Sequence, residues 1–180
     1  MDTTTNDNEM YNGLDLYSLS IDPTVMDLPR FIHPSVEIKF SRFPKAGLGA
    51  FAKEPIKKGT FLGNYVGSIC YLENGLSYKD DDHYGFYTII RGKPAIINGV
   101  GLLDSNWTRY MNCALERSDE NIFVMKNTDK TSNIYINQDN KPVDLDGAIV
   151  FFACKDIDVG EELLFDYGDS YKTYLLHHFY

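Results

Sequence analysis

The spacing of apolar residues changes character along the chain. Residues 1–13 (MDTTTNDNEMYNG) are rich in Thr, Asn and Asp and have little to bury, so a disordered leader is expected there. Residues 14–35 mix scattered apolar positions with Pro23, Pro29 and Pro34, the pattern of an extended arm lying on a folded body. From Val36 onwards, short runs of β-branched and aromatic residues follow one another, each closed by Gly, Pro, Asn or Asp. That punctuation predicts strands at Val36–Phe40, Thr60–Val66, Ser68–Leu72, Phe86–Arg91, Ala95–Asn98, Ile122–Lys126, Ile134–Asn137 and Ala148–Cys154. Helical spacing is scarce. A short helix is expected within Asp104–Leu115. A clearer one closes the chain, where Tyr171, Tyr174, Leu175 and Phe179 recur at i, i+3, i+4 and i+8 behind a cap at Asp169 or Ser170. No repeat or linker divides the sequence, which reads as one mainly β domain with a terminal helix.

Composition narrows the class. A chain of 180 residues with 43% hydrophobic positions is enough for one domain with a real core. Its longest apolar run, Ala148–Cys154, is far too short to span a membrane, and the N-terminus lacks the basic start and apolar stretch of a signal peptide. A soluble intracellular domain is expected. Cys70, Cys113 and Cys154 are an odd set without a CxxC pair, which argues against a disulfide scaffold and a structural zinc site. The net charge of −9 excludes a generally basic nucleic-acid-binding surface. It is also unevenly placed. Residues 1–29 hold six acids and no base, residues 30–139 hold 14 bases and 12 acids, and residues 140–171 hold eight acids and two bases. The late acids have two readings: a solvated face, or a docking surface on which Asp156, Asp158, Glu161 and Glu162 attract a basic peptide.

The familiar catalytic patterns are missing. There is no GxSxG elbow and no Walker-type phosphate loop. His33 and His83 are isolated, while the adjacent His177 and His178 would point in different directions on a helix and make a poor metal site. Gly47-Leu48-Gly49 alone describes a tight turn.

Three ordered segments carry more. The first is Ala46-Gly47-Leu48-Gly49-Ala50-Phe51-Ala52, with Ile56-Lys57-Lys58-Gly59 and Tyr65-Val66-Gly67 behind it. The second is Ile97-Asn98-Gly99 followed by Asn106-Trp107-Thr108-Arg109-Tyr110-Met111-Asn112-Cys113-Ala114. The third is Asp158-Val159-Gly160-Glu161-Glu162-Leu163-Leu164-Phe165-Asp166-Tyr167-Gly168-Asp169. Together they resemble the SET domain of protein-lysine methyltransferases, and the second segment resembles the PR subclass found in PR-domain zinc-finger proteins. The similarity covers roughly residues 36–172, leaving 173–180 as a terminal helix packed on the domain. It implies a β-clip-like SET fold of several small antiparallel sheets, with a threaded C-terminal pseudoknot that brings Asn112 and Tyr167 together.

The resemblance also implies chemistry. SET enzymes move a methyl group from S-adenosyl-L-methionine to a lysine amine, most plausibly of a histone tail here. That basic peptide is the expected partner, with no membrane, no direct nucleic-acid binding by this segment, and a nuclear location (or a cytoplasmic one). Such a displacement needs alignment, electrostatics and a neutral lysine, which a desolvating aromatic channel favours, and it needs no metal. By the family's motifs, Ala46, Gly47 and Leu48 would meet the cofactor through their backbone, and Asn112 and Cys113 would contact its adenosyl part. Tyr87 matches an aromatic near cofactor and lysine. Tyr167 matches the catalytic tyrosine, and Tyr65 an aromatic of the lysine channel.

Three departures keep a second function in view. Cys113 stands where most SET domains carry histidine, and Phe151 stands where active PR enzymes place another channel tyrosine. No cysteine-rich segment follows Tyr167, so the helix bearing Tyr171, Tyr174 and Leu175 is expected to cover the channel instead. The alternative is a catalytically weak or inactive PR-type module that recruits chromatin proteins. No zinc fingers follow within these 180 residues, and either reading is compatible with a domain cut from a longer chain that carries them.

Overall fold

The computed structural model describes residues 32–72, 84–102, 105–126 and 147–179. The leader, most of the arm and the strand expected at Ile134–Asn137 lie outside these residues. The elements in chain order are β1 (Val36–Phe40), β2 (Leu48–Ala52), β3 (Phe61–Asn64), β4 (Ser68–Tyr71), β5 (Gly85–Ile90), β6 (Lys93–Asn98), a 3-10 turn (Trp107–Tyr110), β7 (Asn112–Cys113), β8 (Ile122–Lys126), β9 (Ile149–Ala153), β10 (Leu164–Phe165) and α1 (Asp169–Phe179). They form the expected set of small sheets: β1–β2, β4–β6–β5 and β3–β9–β8 are antiparallel, and β10–β7 is a short parallel pair.

β9 is the centre of the core. Ile149, Val150 and Phe151 are all fully buried, because β9 lies between β3 and β8 and both of its faces are covered. An unbroken apolar run is the sequence counterpart of that position, and it was legible. β2 was not. Its sequence LGAFA has weak strand propensity and no alternation, yet Ala50 and Ala52 are fully buried against β1 and the C-terminal segment. Small side chains let the backbone of Gly160–Leu163 approach closely: Leu163 N–H donates to Ala50 O at 2.8 Å and Gly160 N–H to Ala52 O at 2.8 Å.

The helix expected within Asp104–Leu115 is a single 3-10 turn. Asn106 caps it by accepting from Thr108 N at 3.3 Å, and Met111 already turns extended at φ −73°, ψ 120°. The turn stops there because the next two residues are needed as strand: Asn112 and Cys113 pair in parallel register with Leu164 and Phe165. This pairing joins the C-terminal segment to the Asn112 motif, as the threaded topology requires. α1 begins at Asp169, at the cap expected there, with Tyr171, Lys172 and Leu175 half-buried and Tyr174 more exposed.

Candidate functional site

Between β5, the 3-10 turn, β8 and the β10–α1 junction lies a cavity of about 510 Å³. Its wall is mainly aromatic: Tyr65, Tyr84, Phe86, Tyr87, Phe165, Tyr167 and Tyr171, with Met111 and Val124. Two of these hydroxyls are tied down by backbone carbonyls. Tyr167 donates to Met111 O at 2.6 Å, and Tyr65 donates to Tyr84 O at 2.6 Å. The Tyr167 ring lies between Phe165 (4.5 Å between centroids) and Tyr171 (5.3 Å). Burial, reinforced by the nearby Cys113 thiol, pushes the Tyr167 hydroxyl well above the ordinary tyrosine range, so it remains a neutral donor.

Tyr65 packs on Phe86 at 4.6 Å. Gly99 lies directly behind the Tyr65 hydroxyl, where a β-carbon would collide with it. Phe86 in turn stacks on Phe165 at 5.7 Å with 25° between planes. Phe151 is not on the wall. It is fully buried behind it, 5.4 Å from Phe165, 6.0 Å from Phe86 and 6.3 Å from Tyr65.

A second, polar cluster adjoins this wall through Met111 and Asn112. The β1–β2 hairpin loop turns through two left-handed residues, Lys45 (φ 67°) and Gly47 (φ 70°), before Leu48 enters β2. Asn112 Nδ2 donates to Leu48 O at 3.2 Å and to Glu162 Oε1 at 2.9 Å. Cys113 is buried, its thiol pointing at Ala114 O at 3.6 Å and pushed up in pKa by that burial. Adjacent residues thus link the clusters: Met111 receives the Tyr167 hydroxyl, and Asn112 holds the hairpin.

The residues singled out by sequence therefore fall in two groups. Tyr65, Tyr87, Tyr167 and Tyr171 meet around the cavity, while Ala46, Gly47, Leu48, Asn112 and Cys113 belong to the hairpin side. Tyr87, half exposed on β5, stands with the first group and away from the hairpin.

One member of the expected acidic docking surface is not on the surface. Glu162 is buried, because it bridges to Phe51 and turns its carboxylate inward. Asp156 pairs with Lys57 at 2.8 Å, which together with the Lys58 N–H holds its carboxyl below the usual range. None of Asp156, Asp158, Glu161 or Glu162 lines the cavity. The charged groups that do are Arg109, seated on the faces of Tyr84 (4.6 Å) and Tyr110 (5.4 Å), Lys126, and Asp166, which pairs with Lys172 at 3.0 Å. Sequence reasoning missed Glu162, Met111 and Arg109 as members of the site. Nothing in composition separates the buried Glu162 from its exposed neighbour Glu161; only the bridge to Phe51 does.

Residues 47–168 match the SET domain family. Among curated proteins, the chain is 29% identical over 136 residues to histone-lysine N-methyltransferase set-17 of Caenorhabditis elegans, covering 74% of this chain and 41% of that protein. It is 25% identical over 173 residues to human PR domain zinc finger protein 14, covering 91% of this chain and 25% of that protein. The chain thus spans less than half the length of either relative. Among solved structures, the methyltransferase domain of human PR domain-containing protein 2 superposes with a TM-score of 0.54 at 25% identity, over 75% of this chain and 78% of that one. The polycomb repressive complex 2 of Chaetomium thermophilum, in complex with H3K27me3 and H3K27M, superposes with a TM-score of 0.52 at 28% identity, over 74% of this chain and 14% of that one.

Proposed function

Since the chain belongs to the SET domain family, we propose that it is an S-adenosyl-L-methionine-dependent protein-lysine methyltransferase acting on a histone tail in the nucleus. The single observation that carries this reading is the Tyr167 hydroxyl, fixed on Met111 O at 2.6 Å in the aromatic wall of a cavity, one residue from Asn112. The relatives named as histone-lysine methyltransferases support the histone tail and the compartment.

The residues present fit the cofactor. Both hydrogens of the Asn112 amide are engaged by Leu48 O and Glu162, which leaves Oδ1 as its acceptor for a donor on a ligand. The hairpin backbone at Ala46–Leu48 stands beside it, bent by the left-handed Lys45 and Gly47. S-adenosyl-L-methionine bound there would supply a methyl group on a sulfonium that is already a good leaving group.

The rest of the work falls to this chain's own side chains. Tyr65, Phe86 and Tyr87 would line the lysine's path. Their apolar surface disfavours the charged amine, so the neutral, nucleophilic form becomes accessible. Their faces attract a methylated ammonium once it forms. Tyr167, kept protonated by burial, offers a hydroxyl whose place is set by Met111, so it can orient groups without ionising. Tyr171 closes one side of the wall from α1, 5.3 Å from the Tyr167 ring. Phe151 acts from behind, by fixing Tyr65, Phe86 and Phe165. A scaffold that only recruits other proteins has no need of two anchored tyrosine hydroxyls facing one cavity, and this favours activity.

The test is methyl transfer from radiolabelled cofactor to a panel of histones, with product mass read out. Labelling of a histone tail lysine is expected. No transfer by the unaltered chain would remove the reading, and transfer unaffected by Tyr167→Phe would remove Tyr167 from its role.

A further inference from the structure

Glu162 is the only charged residue in the buried set among the described residues, and its side chain is wholly inaccessible. A carboxylate in that position is costly unless its oxygens are saturated by donors. They are. Oε1 accepts from Ser41 Oγ at 2.7 Å and from Asn112 Nδ2 at 2.9 Å, while Oε2 accepts from Arg42 N at 3.1 Å. The Arg42 side chain is half exposed and its Nε is 3.8 Å away, shared with Asp119, so hydrogen bonds rather than a tight ion pair hold the charge. Ser41 Oγ also accepts from Phe43 N at 3.1 Å, which extends the network over three consecutive residues at the start of the hairpin loop.

The far end of the same loop is tied to the same place. The other Asn112 amide hydrogen reaches Leu48 O at 3.2 Å. One carboxylate–amide pair therefore straps both ends of the loop carrying Ala46 and Gly47. It also decides the orientation of the amide, because turning it over would set Oδ1 against two acceptors. Gly49 completes the arrangement, since a β-carbon there would collide with Glu162 Oε1. No neutral side chain presents acceptors on both branches, which is a physical reason for a carboxylate in this interior.

We propose that Glu162 is a positioning residue: its buried carboxylate orients the Asn112 amide and clamps the 41–48 loop, and so sets affinity for the cofactor without touching the peptide. The inference rests on the methyltransferase reading above. Its test is steady-state kinetics of the full chain with S-adenosyl-L-methionine and peptide varied separately, together with calorimetry of cofactor binding. Glu162→Gln sets an amide N–H₂ against converging donors, so the cofactor KM and Kd should rise about tenfold while peptide KM changes less than about twofold. Gly49→Ala, which displaces the same carboxylate, should act in the same direction, and adding it to Glu162→Gln should cost little more. Ser41→Ala removes one donor and leaves the buried volume intact; it should raise cofactor KM about threefold, and it decides the matter by the same ratio if the other variants fail to fold. Equal rises in both KM values, or a fall in kcat with cofactor KM unchanged, would overturn the proposal. If the unaltered chain binds cofactor and transfers methyl but none of the variants shifts cofactor KM, only this inference fails. If the unaltered chain does neither, the methyltransferase reading fails and takes this inference with it.

Discussion

The aromatic wall and the polar junction beside it are held by different forces, although Met111 and Asn112 are adjacent residues. Phe86, Phe151 and Phe165 stabilise the wall by area and dispersion, spread over many weak contacts. Hydrogen bonds at Tyr65 and Tyr167 only place the hydroxyls. The junction has little apolar surface to lose and depends on a few directional bonds converging on Glu162. Loss of volume should therefore loosen the wall and lower stability, whereas a loss of polarity at the junction should change a binding constant.

The largest effect should come from the wall's interior. Phe151→Ala should cost about 3–5 kcal/mol in denaturant unfolding, because the fully buried ring leaves a cavity behind three aromatics. A cost below about 1 kcal/mol would mean the wall does not lean on Phe151. Next, Tyr167→Phe should reduce methyl transfer by about 100-fold, the scale of a misplaced reacting group, and stability by only about 1 kcal/mol. A loss confined to stability would make Tyr167 another wall residue. Gly99→Ala should be milder. Its β-carbon forces the Tyr65 hydroxyl off Tyr84 O, so peptide KM should rise several-fold, about the value of one hydrogen bond, with cofactor KM unchanged. That result would mirror the Glu162→Gln split on the other substrate.

Two smaller effects probe ionisation. The folded-state pKa of Tyr167 lies above its ordinary value of 10.0, so its contribution to stability is present below pH 10. It should be lost as pH rises from there, because the unfolded chain ionises first; chemical denaturation at stepped alkaline pH should show a shallower decline in Tyr167→Phe. At the junction, burial raises the Cys113 thiol, so its alkylation at pH 8 should trail that of the exposed Cys70 by roughly tenfold. Comparable labelling rates would mean the junction opens readily.

Legibility in the sequence followed the kind of packing each residue makes. β1 and β8 match the expected ranges, because their alternating or β-branched residues sit on sheets with one open side. β2 and β7 escaped notice: one is built of small residues buried on both faces, and the other is two residues long and exists only as the partner of β10. The site shows the same division. Tyr65, Asn112 and Tyr167 stand out through ordered motifs, while charge count says nothing about direction and cannot separate the buried Glu162 from an acidic surface.

By itself, the sequence determined a mainly β fold, the family its motifs belong to, and the tyrosines available for a channel. Those properties reside in residue type and local spacing. The tertiary structure alone decided that Tyr87 stands with the cavity, that Phe151 supports the wall from behind, and that Glu162 faces inward to hold Asn112 and the hairpin. The Glu162 contacts join segments 50 residues apart, to Asn112, and 120 residues apart, to Arg42. Burial and hydrogen-bond direction arise only when such segments meet.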